Sequence, residues 1–245
     1  MVESTVTGMV LSAMPIGDYD KRLVILTKER GKITAFVKGA RKPNSAFLAC
    51  SQPFSFGEFQ LYVGRTSYNV QSVTISNYFD ELRKDLEAAY YGLYFCELAD
   101  YFTHENDDGS QILKLLYQTL RALTQTPIER KLIRFIYELK ILTLNGEAPQ
   151  VFECVICNTT EVPYYFSSEA GGLVCKHCLP NTEGIKVCDS TIYTLQYIIT
   201  SDIQKLYTFT VSAKVMSELR RCIEKFSRRH IDRGMKSLEL LEMLF

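Results

Sequence analysis

Two cysteine pairs, Cys154-x2-Cys157 and Cys175-x2-Cys178, are separated by seventeen residues in the stretch CVICNTTEVPYYFSSEAGGLVCKHC. That spacing suits one tetrahedral zinc ion held by four thiolates, with Zn–S distances of about 2.3 Å. A C-x-x-C turn aims both sulfurs to one side with backbone amides close by. Asn158, just after the first pair, tolerates the left-handed backbone such a turn needs. Gly171-Gly172 favours a hairpin leading into the second pair. A catalytic zinc keeps one position open for water, whereas four cysteines close the shell. A zinc deaminase would also need His-x-Glu ahead of Pro-Cys-x-x-Cys, and neither element precedes these pairs. His177 falls between the last two ligands and is read as facing solvent. The chemistry expected is one structural Zn2+ on Cys154, Cys157, Cys175 and Cys178; four free thiols in a core is the alternative.

No other constellation points to catalysis. Cys50, Cys96, Cys188 and Cys222 are scattered, and the three histidines (His104, His177, His230) lie in dissimilar settings. Neither G-x-x-x-x-G-K-[ST] nor G-x-G-x-x-G occurs, so no phosphate-cradling loop is expected. The chain is read as a non-enzyme, with a zinc-dependent hydrolase or deaminase as the reading from another class.

The second group of interest is cationic. The 28 basic and 28 acidic residues cancel, but residues 21–42 hold Lys21, Arg22, Lys28, Arg30, Lys32, Lys38, Arg41 and Lys42 against Glu29 alone. Concentrated charge on a neutral chain suggests a local polyanion-binding surface. Tyr19, Phe36 and Phe47 are interleaved with these cations. Cations that neutralise phosphates and aromatics that stack bases are what single-stranded nucleic acid requires. Phe36 alternates with Thr34 and Lys38 in a way that also fits a core position, and a basic hairpin can simply be solvated. An RNA-binding module of the same build fits the composition equally.

The elements that must position these groups change character along the chain. Residues 5–11, 22–27, 32–37, 54–63 and 68–75 are rich in Val, Ile, Thr, Phe and Tyr and are separated by turn residues, which predicts five short strands. Gly57 within the fourth predicts a bulge. Five strands in about eighty residues suit an OB-type barrel, and a small SH3-like barrel matches the same count. From Asp80 the period becomes helical: 80–103 with Leu82, Leu86, Ala89, Leu93 and Cys96 as its stripe and Asn77 as a possible cap, then 111–125, 128–146, 189–200 and 212–231. On 212–231, Lys214, Arg221, Lys225 and Arg228 share one face, and Glu218 and Asp232 are placed to pair with them. The fold class expected is α+β: a five-stranded OB-type barrel over 1–79, then a helical domain over 80–245 carrying a zinc insertion at about 150–184. The N-terminus lacks a basic and apolar leader, and no apolar run approaches the roughly 18 residues of a membrane span, which predicts a cytoplasmic protein.

GDYDKRLVILTKERGKITAFVKGARKPNS (17–45), QPFSFGEFQLYVGRTSYNVQSVTISNYFDELRKDLE (52–87), the C-x2-C…GGLVC-x2-C module and GMKSLELLEML (234–244) together resemble the bacterial recombination mediator RecO family, over nearly the whole chain and in the family's order. The resemblance implies a DNA repair and recombination mediator of the bacterial cytoplasm and nucleoid. It implies binding of single- and double-stranded DNA and annealing of complementary strands. It also implies partnership with RecR, contact with the acidic tail of the single-stranded-DNA-binding protein, and, indirectly, loading of RecA. Carried over by position, the nucleic-acid surface falls on Arg22, Lys28, Arg30, Lys32, Lys38, Arg41, Lys42 and Arg65, and the zinc ligands on the four paired cysteines. Arg121, Arg130, Lys131 and Arg134 are candidates for the acidic tail, with a solvated helix face as the other reading.

Overall fold

The computed structural model describes residues 2–64, 67–125, 127–161 and 164–245. Five strands, β1 (Val2–Ile16), β2 (Asp20–Thr27), β3 (Gly31–Val37), β4 (Phe56–Val63) and β5 (Tyr68–Asn77), close into a barrel in the order β1-β2-β3-β5-β4. All pairs are antiparallel except β3 with β5, where Ala35 and Phe36 lie beside Tyr68 and Asn69. This Greek-key closure is that of an OB fold and settles the choice that strand count left open. Alternation fills the interior: Leu23 and Ile25 on β2, Ile33, Ala35 and Val37 on β3, and Phe59 and Leu61 on β4 are all 1% exposed or less. Register shifts curl the sheet, among them one between Gln60 and Leu61 of β4. The β1–β2 register shifts between Val10 and Ser12, and the β4–β5 register shifts at Gly57, as a bulge-forming glycine predicts.

The fourth strand begins at Phe56, not at residue 54. Phe54 has φ 73° and is 4% exposed. Its ring edge lies 3.0 Å from where a Cβ on Gly92 would be, so burial holds a bulky residue in a conformation it otherwise avoids.

By internal contacts the chain forms two compact units, Met1–Gln125 with Met235–Phe245, and Thr126–Gly234. The first adds to the barrel α1 (Asp80–Lys84), α2 (Leu86–Phe102), α3 (Ser110–Gln125) and α7 (Lys236–Leu244). The expected helix over 80–103 is therefore two, divided at Asp85, whose carboxylate accepts the Ala88 amide at 3.0 Å and caps α2. The division rotates the stripe: Leu86 is 64% exposed, while Tyr91, Tyr94, Phe95, Leu98 and Ala99 are buried. Asn77 accepts the Phe79 amide at 2.9 Å ahead of α1, where Phe79 is the N-cap. Glu97 on α2 receives the amides of Lys236 and Ser237, satisfying the start of α7.

The second unit contains α4 (Arg130–Leu144), α5 (Asp189–Thr200), α6 (Ala213–His230) and a small sheet, β6 (Tyr164–Ser167), β7 (Gly172–Cys175) and β8 (Ile185–Lys186), in the order β7-β6-β8. Residues 132–142 of α4 are all buried. Lys140 donates to the carbonyls of Ile199 and Ser201 at 2.8 Å, closing the end of α5.

Candidate metal centre and basic barrel surface

The β6–β7 hairpin turns through Gly171 at φ 83° and delivers Cys175 at the end of β7. The preceding segment is sewn to the same strand: Leu173 donates to the Gln150 carbonyl and Val155 donates to the Leu173 carbonyl, both at 2.8 Å. This places the two C-x-x-C turns face to face. In the first, Asn158 is left-handed at φ 59° and its amide donates to the Cys154 carbonyl at 2.8 Å. In the second, the Cys178 amide donates to the Cys175 carbonyl at 3.1 Å.

The four sulfurs lie within 4.8 Å of one another. Cys157 Sγ and Cys175 Sγ are 3.7 Å apart, close to the roughly 3.8 Å edge of a tetrahedron with Zn–S of about 2.3 Å. The Cys175 amide donates to Cys154 Sγ at 3.3 Å. Burial opposes ionisation of Cys154, but amides of Cys175, Cys157 and Ile156 outweigh it and hold that thiol at about 6. Cys178, hydrogen-bonded to Cys157 and crowded by its neighbours, is pushed up to about 12. One thiolate is thus ready-made, and further ionisation in so small a space calls for a cation at the centre. His177 is exposed and outside the cluster. The donor set fits one metal ion with a closed sulfur shell.

The cations expected to bind nucleic acid separate into two groups, because β2 and β3 run antiparallel and their basic residues collect at opposite ends. Lys32 and Lys38 are six positions apart on and just beyond β3, about 20 Å of extended chain. At the far end of the hairpin the tip is covered by the segment after α2. Gly31, at φ 62°, packs where any Cβ would strike the His104 carbonyl, and the Asn106 amide donates to the Arg30 carbonyl at 2.9 Å. Lys32 is not a free tip cation: its ammonium sits 3.1 Å from the Asp100 carboxylate. Arg30 Nε lies 3.3 Å from Ser4 Oγ, with the guanidinium 5.7 Å from the Tyr68 ring. Of this group Lys28 is exposed, whereas Arg30 and Lys32 are half-buried.

Arg22, Lys38, Arg41 and Lys42 are all exposed at the other end. Here the β1–β2 turn and the loop leaving β3 clasp one another. Asp20 accepts the Gly39 amide at 2.7 Å, the Arg41 amide donates to the Tyr19 carbonyl at 2.8 Å, and Arg41 Nη1 donates to the Gly17 carbonyl at 3.2 Å. Lys21 is half-buried, donating to the Ser51 carbonyl at 2.8 Å, and this partial burial lowers its pKa. Arg65 lies outside the described residues. Of the interleaved aromatics, Phe47 packs on the barrel core, whereas Tyr19 is 53% exposed. Phe36 lies with exposed Thr34 and Lys38 on the outward face, opposite Ile33, Ala35 and Val37, so it does not fill the barrel.

A chain with this barrel, this cysteine cluster and this order of elements has close counterparts. The family model described as Recombination protein O N terminal matches residues 1–79, and that described as Recombination protein O C terminal matches 83–239. A protein of Alkaliphilus metalliredigens named DNA repair protein RecO is 33% identical over 240 residues, covering 97% of this chain and 98% of its own. Proteins of the same name from Acetivibrio thermocellus and Symbiobacterium thermophilum are each 30% identical, covering 97% and 98% of this chain and 96% of their own. The chain belongs to the Recombination protein O family.

In this family member the helical unit corrects two expectations. Arg134 is not on a solvated face: it is buried, with Nε 2.7 Å from Glu138 Oε1. That leaves Arg121, Arg130 and Lys131 of the cations considered for an acidic tail. The apolar stripe of α6 is Val215, Leu219, Cys222 and Phe226 as its period predicts. Glu218 feels the charge of Lys214 on the basic face but is engaged mainly elsewhere. It accepts the Cys188 amide at 2.8 Å and the Thr191 hydroxyl at 2.6 Å, capping α5 in place of a side chain from Cys188 itself. Glu218→Ala should cost about 1–3 kcal/mol by leaving the Cys188 amide without its acceptor and the buried Thr191 hydroxyl with only the weak Cys188 thiol as partner. Burial opposes the charge of Glu218, but the hydrogen bonds from Thr191 and Cys188 prevail and hold its pKa below the ordinary 4.5. Its contribution is therefore complete above about 4.5 and is lost as pH falls through the lower folded-state value. Thermal melts of wild type and variant should differ at neutral pH and converge in acid.

No helix among the described residues is long and apolar enough to cross a membrane.

Proposed function

We propose that this protein is a DNA repair and recombination mediator that binds single- and double-stranded DNA on its barrel and anneals complementary strands. With RecR it helps load RecA onto DNA coated by the single-stranded-DNA-binding protein, whose acidic tail it contacts. The observation that carries the DNA-binding reading is the exposed group Arg22, Lys38, Arg41 and Lys42, gathered by the clasp between the β1–β2 turn and the loop after β3. Family membership supports the rest.

Two complementary strands repel, and a surface that neutralises both backbones lowers the barrier to their meeting while leaving base edges free. Arg41 and Lys42 act as phosphate contacts and Arg22 and Lys38 extend the track along β2 and β3. Zinc, when bound by Cys154, Cys157, Cys175 and Cys178, supplies a structural crosslink. The four cysteines fill its shell and leave the reacting DNA to the barrel. Mixing complementary labelled oligonucleotides with the protein and no nucleotide should give annealing well above the spontaneous rate. Annealing that required ATP, or none at any protein concentration, would contradict the reading.

A further inference from the structure

The basic face of the barrel also carries an apolar component that neutralisation of phosphates does not use. The β1–β2 hairpin exposes Met14 (53%), Ile16 (40%) and Tyr19 (53%) within six residues. Scattered apolar residues on a surface need no explanation, but a cluster on one projecting turn does. Strand register places it: Met14 pairs with Arg22 and Arg22 with Phe36, so the three form one row across the outside of the barrel. Arg22 Nη2 donates to Met14 Sδ at 3.2 Å, and the Lys42 ammonium lies 5.7 Å from the centre of the Tyr19 ring. Both aromatics are thus bordered by cations, and Tyr19 is held in place by its own carbonyl, which accepts the Arg41 amide. In OB folds the β2–β3 face and the β1–β2 loop are where oligonucleotides lie.

We propose that Tyr19 and Phe36 are a base-stacking platform that makes this surface prefer single strands to duplex. The occupant is the unpaired nucleobase, selected by the cations around it: its phosphates meet Arg22, Arg41 and Lys42 while its face meets a ring. In a duplex the base faces are already stacked on their neighbours and cannot reach these rings, so duplex binds through phosphates alone. Stacking leaves the pairing edges of the base open. A captured strand can therefore still find its complement, and once paired it loses the aromatic contacts and is released more easily. This deepens the DNA-binding reading above and rests on it.

The test is Tyr19→Ala in the full chain, measured against a labelled 25-nucleotide oligo-dT strand and a labelled 25-base-pair duplex across a salt series. Single-strand affinity should fall about 5- to 100-fold, the range of one lost base–aromatic stack, with duplex affinity changed less than about twofold. The salt slope on the single strand should stay at the wild-type value, because a neutral ring releases no counterions. Tyr19→Phe should restore binding, and Phe36→Leu, which keeps the apolar bulk of the row, should reproduce the single-strand loss. Equal losses on strand and duplex, or no loss on the strand, would overturn the proposal; the latter is also what a protein partner for this hairpin would give. Arg41→Ala/Lys42→Ala, run in parallel, separates the layers. If that pair weakens both DNAs while Tyr19→Ala does nothing, the stacking platform fails and the DNA-binding reading stands. If neither variant has an effect, both fall.

Discussion

Replacing Cys175 by Ser, or stripping the metal with a strong chelator, should unfold the cysteine module. The strands it supports have 4, 4 and 2 residues, well short of an independently stable sheet. Two stretches of chain, 154–158 and 175–178, are held face to face by a few amide hydrogen bonds and by whatever joins their sulfurs. For modules of this size the apparent free energy of structural zinc is about 10–16 kcal/mol, and it is largely folding free energy. Freshly purified, reduced protein should hold one zinc per chain by elemental analysis. After Cys175→Ser or chelation, amides of residues 150–186 should exchange with solvent far faster, with those of the barrel strands unchanged. Buried Phe166, which packs edge-on to Phe226 at 6.0 Å between ring centres, should lose that contact. No zinc in the intact protein, together with exchange indifferent to Cys175→Ser, would refute the assignment.

The second large effect concerns charge. Arg22, Lys38, Arg41 and Lys42 changed together to Ala should lower single-strand affinity by about three orders of magnitude at 0.1 M salt, taking a slope of about −0.7 per phosphate contact. The barrel should fold normally, since exposed substitutions of this kind typically shift stability by under about 0.5 kcal/mol each. The corresponding triple change at Lys28, Arg30 and Lys32 should have a clearly smaller effect on DNA, because Lys32 is already paired with Asp100 and Arg30 is half-buried against Ser4 and Tyr68. Fluorescence anisotropy with one labelled strand distinguishes the two groups. A triple variant as damaging as the quadruple one would place the contact at the covered tip of the hairpin instead.

Local chemistry was the legible part. Paired cysteines, a left-handed Asn158, a glycine hairpin and a bulge at Gly57 follow from short-range spacing and backbone sterics, and the structure contains each. The β-rich composition and turn spacing likewise marked out the five strands, and the alternation within them is what fills the barrel. What pattern could not convey is which partner a side chain finds across the fold. Eight cations within 22 residues read as one stretch, yet antiparallel pairing sends them to two ends, and Asp100, remote in sequence, neutralises one of them. Arg134 and Glu218 look like surface charges at helical spacing, and tertiary contacts make one a buried ion pair and the other a cap. Helical periodicity missed the break at Asp85 because Leu86 continues the apolar spacing, while the extended backbone of Asp85 ends the first helix and its carboxylate caps the second. Phe36 was ambiguous for a related reason: a half-buried outward position carries the same residue type as a core one.

The most direct test of the central claim, that DNA is held by the clasped loops of the barrel, is the salt dependence of single-strand binding for Arg41→Ala/Lys42→Ala beside Arg228→Ala/Arg229→Ala. The second pair is also exposed but lies in the last turn of α6, where cations favour the helix terminus. The first variant should flatten the plot of log affinity against log salt by one to two contacts, about 0.7–1.4 in slope, and weaken binding to unrelated sequences alike. The second should run parallel to wild type. A flattened slope for Arg228→Ala/Arg229→Ala with Arg41→Ala/Lys42→Ala parallel to wild type would place the DNA surface on the helical unit and contradict the account.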